Sequence, residues 1–144
     1  MKELGIGISE FPVNMESAIE ARRNGMNVVV GAPNIVRGIS SCGNVSARSL
    51  IRKGAANIIC SDYHPPSMLY AAIKLHHEEE LPLHEAINMI TLNPAIAVGL
   101  KDKGAISPGK TADMVIFGLK GELPEVKNVF IRGREVYRYG SKEQ

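Results

Sequence analysis

Residues 57–67 read NIICSDYHPPS. An apolar run, Ile58 to Cys60, gives way to a lone acid, Asp62, on a loop stiffened by Pro65 and Pro66. A carboxylate at the end of a buried strand can ligate a divalent metal and take a proton from its bound water. It can also bond to nearby backbone N–H groups, which on spacing alone is the commoner role. Glu10 also follows an apolar stretch, and can serve as a base, a substrate contact or a helix cap. Asn34 and Arg37 lie in GAPNIVRGISSCGN, residues 31–44, the longest loop and one rich in Gly, Ser and Asn. Loops of that length in a compact domain are usually functional. Backbone N–H groups, the Asn34 amide and the Arg37 guanidinium can hold an anion such as phosphate there. The alternative is a glycine-rich turn with Arg37 in solvent. His64 is a ligand type with no partner at ligand spacing. HHEEE reads as a solvated helix end and His84 as a surface residue. No His-x-His, His-Glu-x-x-His or Cys-x-x-Cys occurs. The chain alone does not supply the three or four ligands of a usual metal site.

Elements must bring these groups together. LGIGIS predicts a first strand, Leu4 to Ser9. NMESAIEARRNG predicts a helix capped by Asn14, with Met15, Ala18 and Ile19 on one face and Gly25 in the left-handed stop position. MNVVVGA is β-branched, too short for a helix and apolar on both faces, as a doubly covered parallel strand is. NVSARSLIRKG predicts a helix capped by Asn44 or Ser46 and ended by Gly54. NIICS is a third strand, and SMLYAAIKLHHEEE a third helix. Alternation with short connections predicts parallel βα units with right-handed crossovers. Functional loops then gather at the carboxyl ends of the strands. Glu10, the 31–44 loop and Asp62 all fall there. LPLHEAINMI predicts another helix with Pro82 in its first turn, and NPAIAVGL one capped by Asn93. After Gly104 the pattern changes to strands, ADMVIFGL and VKNVFIRGREVYRYG, with a hairpin turn at Arg132-Gly133.

The chain has 144 residues, a net charge of +2 and scattered basic groups. That size supports a sizeable core, and the scatter gives no footprint for nucleic acid. No apolar run is long enough for a membrane span, and the first residues do not read as a signal peptide. Cys42 and Cys60 lack metal spacing, so free thiols and a cytoplasmic location are expected.

ITLNPAIAVGLKDKGAISPGKTADMVIF, with its Asn-Pro-Ala and its Gly-x-Ile-x-Pro-Gly-Lys-x-Ala-Asp pattern, closely resembles the C-terminal signature of the amidohydrolase superfamily. VFIRGREVY resembles that superfamily's closing hairpin. ISEFP, GAPNIVRG, GNVSAR and SDY, in this order, resemble its phosphonate-metabolism branch. The resemblance implies an α/β fold: the last three βα units of a TIM-type (β/α)8 barrel over residues 1–103, then β-sandwich strands over 104–144. It implies hydrolysis of a phosphoanhydride in a ribose phosphonate triphosphate. It also implies Asp62 as the acid at the end of the eighth strand, catalytic and metal-binding, with Glu10, Asn34 and Arg37 lining the pocket of a phosphorylated small molecule.

Two departures bear on function. A histidine expected between Arg37 and Gly43 is absent, with Ser41 near its place. The chain starts at what resembles the sixth strand, whereas a complete barrel takes about 250 residues. The expectation is therefore the C-terminal portion of a longer hydrolase, or the product of a truncated gene. The family's divalent metal (zinc, manganese or iron) is expected not to bind this chain stoichiometrically. The alternative expectation is a non-catalytic α/β module that keeps the fold. In either case a homo-oligomer is expected, assembled through open strand edges.

Overall fold

The computed structural model describes residues 5–39 and 43–140. Leu4, Ser41 and Cys42 lie outside the described residues. The first half alternates strand and helix: β1 (Ile8–Glu10), α1 (Met15–Arg23), β2 (Asn27–Gly31), α2 (Ala32–Arg37), α3 (Ala47–Arg52), β3 (Ile58–Cys60) and α4 (Ser67–Glu79). Two short helices follow, α5 (Leu83–Asn88) and α6 (Leu92–Ala97), then β4 (Met114–Lys120), β5 (Leu123–Ile131) and β6 (Arg134–Arg138). The first three strands form a parallel sheet in the order β1-β2-β3, and the last three an antiparallel sheet in the order β4-β5-β6.

The parallel sheet is covered on both faces at its centre. Val28, Val30 and Ile59 point into one apolar cluster with Ile35, Leu50 and Leu75 from the helices. Val29 and Ile58, one residue out of phase, face the other way and are also buried. Each large side chain so buried stabilises the fold by about 1.5–3 kcal/mol. Helix α1 begins where its cap is: the Asn14 carboxamide oxygen accepts from Ser17 N at 2.9 Å. It ends at Gly25, whose φ of 74° lets Met26 N donate back to the Ala21 carbonyl at 3.0 Å. This is the left-handed stop that its sequence predicts.

Several elements differ from expectation. β1 starts later, because Gly5 at φ 70° breaks the extended backbone. Glu10 is therefore the last residue of the strand rather than the first beyond it. The front of the 31–44 loop is helix α2, opened by Gly31 and Pro33 and closed by Gly38 in the left-handed region. Proline costs nothing in a first turn, whose N–H groups lack intrahelical acceptors. Pro82 is the N-cap of α5, one place earlier than expected. Thr91, not Asn93, is the N-cap of α6. Asn93 instead donates to the Asn57 carbonyl at 2.8 Å, tying α6 to the foot of β3.

The HHEEE stretch is less solvated than its charge suggests. His76 Nδ1 lies 2.9 Å from the Leu81 carbonyl. Glu78 and Glu79 pair with Arg48, and Glu79 also with Arg52. Arg48 donates from Nε to the Ile35 carbonyl at 2.9 Å, so one side chain links α2, α3 and α4.

Candidate functional site

Register sets the site. Glu10 pairs with Val29 and Gly31 with Cys60, so β1, β2 and β3 end close together. The chain beyond β1 stays attached through Phe11 N to the Val29 carbonyl at 3.0 Å. Here a cleft of about 170 Å³ opens. Phe11, Gly31, Asn34, Asn44 and Asp62 line it over a floor that includes Val30 and Leu50. An added Cβ at Gly31 would stand 3.2 Å from Phe11 Cε1 and 3.4 Å from Asp62 Oδ2. Glycine thus leaves room for a ring and a carboxylate to approach the end of β2.

Asp62 has a φ of 52°, in the left-handed region that Asp tolerates better than most residues. Non-glycine residues held there are concentrated at functional sites. No hydrogen bond to its carboxylate is present among the described residues. The local cap role therefore has no support in the geometry. Ser67 supplies the local loop contact instead, donating from N and Oγ to the His64 carbonyl at 3.0 and 2.6 Å. The His64 ring is exposed and outside the cleft.

Of the residues singled out in the sequence, Asp62 and Asn34 share the cleft. Glu10 stands at the end of β1 and Arg37 in the last turn of α2, both exposed and neither lining it. Arg37 is nonetheless coupled to it: Nη2 donates to Asn34 Oδ1 at 2.9 Å. Glu10 and Asp62 are both felt at Cys60. Burial pushes the Cys60 thiol above its ordinary value of 9.0, a backbone N–H of Asp62 opposes this, and the two carboxylates add to the rise. Phe11, Gly31 and Asn44 had no functional role in the sequence reading. A glycine at the end of a doubly covered strand was the available signal for one of them.

Among the described residues no group of three or more His, Cys, Asp or Glu side chains is placed to hold a metal ion. Asp62 offers at most two oxygens, and a catalytic zinc takes three protein ligands. The described residues therefore do not make a complete metal site.

A family model described as Amidohydrolase family matches residues 5–136. Over 137 residues the chain is 42% identical to alpha-D-ribose 1-methylphosphonate 5-triphosphate diphosphatase of Escherichia coli (strain K12), covering 94% of this chain and 36% of that protein. It is 38% identical over 89 residues to adenine deaminase of Ligilactobacillus salivarius (strain UCC118), covering 62% of this chain and 13% of the deaminase. Among solved structures it is similar to the beta-aspartyl dipeptidase of Fervidobacterium islandicum AW-1, with a TM-score of 0.64 at 18% identity, covering 90% of this chain and 38% of that one. That last likeness is one of fold. The chain spans about a third of the length of the diphosphatase and less of the deaminase.

Proposed function

The chain belongs to the amidohydrolase family, and from that membership we propose that it is the C-terminal portion of a cytoplasmic hydrolase of phosphonate metabolism. Its reaction is hydrolysis of a phosphoanhydride in a ribose phosphonate triphosphate. Residues 1–103 are the last three βα units of a (β/α)8 barrel, and 104–144 belong to an appended β-sandwich. Identity of 42% to the diphosphatase over nearly the whole chain supports the substrate class. One observation carries the site: Asp62 lies in a cleft at the carboxyl ends of parallel strands, without a hydrogen bond to its carboxylate among the described residues.

The roles follow from chemistry. Water attacks the phosphorus nearest the ribose, the bond to the bridging oxygen breaks, and diphosphate leaves. The Asp62 carboxylate accepts the proton that the water loses. Arg37 holds phosphate oxygens, Asn34 orients the substrate, and Glu10 is a further polar contact at the rim. A divalent ion would polarise the phosphoryl group, and its ligands beyond Asp62 come from outside the described residues.

A chimera tests this. This chain replaces the aligned 137-residue segment of the Escherichia coli diphosphatase, and product release is followed on a ribose phosphonate triphosphate and on adenine. Diphosphate release without ammonia release is expected. A folded chimera that releases ammonia from adenine, or no diphosphate, would overturn the assignment.

A second reading has its own support. The β4-β5-β6 sheet exposes about half of Val115, Ile116, Leu123, Ile131 and Val136, and β1 and β3 are edge strands of the parallel sheet. Unpaired edges beside apolar surface recruit partners. On this reading the chain by itself is a non-catalytic homo-oligomer. Light scattering behind a sizing column should give a dimer or larger species. A stable monomer near 15.6 kDa at high concentration would rule the oligomer out.

A further inference from the structure

We propose that Phe11 is a positioning residue for Asp62: its ring closes the space over Gly31 and keeps the carboxylate turned into the cleft. The inference rests on the hydrolase reading above and concerns how its proton acceptor is held.

The Asp62 backbone is fixed locally and its carboxylate is not. His64 N donates to the Ser61 carbonyl at 3.0 Å, closing a four-residue turn over Asp62 and Tyr63. The carboxylate accepts no hydrogen bond among the described residues. The choice among staggered rotamers then falls to packing. On the Gly31 side, an added Cβ would stand 3.2 Å from Phe11 Cε1, and 3.4 and 3.7 Å from Oδ2 and Cβ of Asp62. Ring and carboxylate thus meet in the space that a side chain on Gly31 would fill. With no side chain there, the ring is what bounds the carboxylate.

The backbone that puts the ring in this place is strained. Phe11 has a φ of 49°, where a bulky residue is an outlier. Pro12 follows it, and a residue before proline favours a φ near about −120° instead. The bond from Phe11 N to the Val29 carbonyl at 3.0 Å holds it against that preference. Burial is an incomplete account of the placement, because Phe11 is still 37% exposed. Strain without a full gain in burial points to a role in the site. Asp62, at a φ of 52°, is a second left-handed residue on the same cleft, and the two flank the end of β2.

Held this way, Asp62 meets the attacking water without first selecting a rotamer. Such preorganisation acts on turnover more than on substrate binding. A ring that stacked on the substrate instead would act on KM.

Two measurements test the proposal. In NMR spectra of the isotope-labelled chain, the Hα–Hβ couplings of Asp62 should report a single staggered rotamer, and the Phe11 ring should cross-relax with the Gly31 Hα protons. In Phe11→Gly the couplings should move to averaged values. Glycine accepts the left-handed φ, so the melting temperature should change by less than about 4 °C. Phe11→Asn, which also tolerates that region, is a second ring-free variant with the same expected couplings. In the chimera, Phe11→Gly should lower kcat at least about tenfold with KM held within about twofold. Phe11→Tyr keeps the ring and should keep kcat within about twofold. Gly31→Ala added to Phe11→Gly places a methyl group 3.4 Å from Asp62 Oδ2, at a φ of −81° that alanine accepts, and should regain at least about threefold in kcat. Unaveraged couplings in both ring-free variants, unchanged kcat in both, a loss confined to KM, or a double variant no faster than Phe11→Gly would each overturn the inference. Unchanged diphosphate release by the Phe11→Gly chimera would leave the hydrolase reading intact. Couplings that average on loss of the ring, with no diphosphate release by the parent chimera, would sink that reading and leave the restraint of Asp62 by Phe11 standing.

Discussion

Cys60 reports on the carboxylates around it. Its thiol is raised mainly by burial, with Glu10 and Asp62 adding repulsion to the thiolate. A thiol raised in the folded state favours folding fully below its unfolded pKa. That contribution is lost as pH rises through the folded value. Alkylation of Cys60 by iodoacetamide, followed by peptide mass spectrometry, should therefore lag behind the unfolded chain near pH 9, and Glu10→Gln should shorten the lag. Equal rates in folded and unfolded chains would mean that neither burial nor Glu10 acts on the thiol. At this scale the sequence was partly legible. An acid one residue past an apolar strand pointed to Asp62. Of the cleft's other polar wall, Asn34 was singled out as an anion contact while Asn44 showed itself only as a cap candidate, because the place of both in one cleft comes from a helix and a loop that only the fold brings together.

Helix α2 explains that gap. By composition GAPNIVRG reads as a glycine-rich loop, yet its proline sits in the first turn and its last glycine takes the left-handed stop. Local start and stop signals outweighed composition. The strands and α1 were legible because β-branched runs and an Asn cap act locally. The Gly-x-Ile-x-Pro-Gly-Lys-x-Ala-Asp stretch was legible as a signature, and the structure gives its physical role as a clasp. Lys110 Nζ donates to the carbonyls of Lys101 and Lys103 at 3.0 and 3.1 Å. Thr111 Oγ1 donates to Asp102 Oδ2 at 2.7 Å. Asp113 pairs with Lys103 and accepts from Arg132 N at 2.8 Å, fixing the β5–β6 turn. Gly104 enters this clasp at φ 87°, where a Cβ would stand 2.8 Å from Ala95 Cβ and 3.0 Å from the Thr91 carbonyl oxygen. Gly104→Ala combines left-handed strain with overpacking and should cost about 2–4 kcal/mol in denaturant unfolding. A loss below about 0.5 kcal/mol, the scale of an ordinary surface change, would show that α6 and the clasp are not packed as described.

On the proposed reading, the described residues carry one acid of a metal site, Asp62, beside a substrate cleft, on a chain that spans about a third of the diphosphatase it resembles. Elemental analysis of the purified chain should find well below one zinc, manganese or iron per chain, because one Asp does not make a coordination shell. About one equivalent, lost with Asp62→Asn, would contradict this and point to ligands supplied between copies. The central claim is that Asp62 stands at the reacting centre, and the most direct measurement is steady-state diphosphate release by the chimera with and without Asp62→Asn. The exchange removes a proton acceptor without changing shape, so folding should persist while turnover falls at least about a hundredfold. Near-normal turnover by a folded Asp62→Asn chimera would contradict the account and reduce Asp62 to a loop residue.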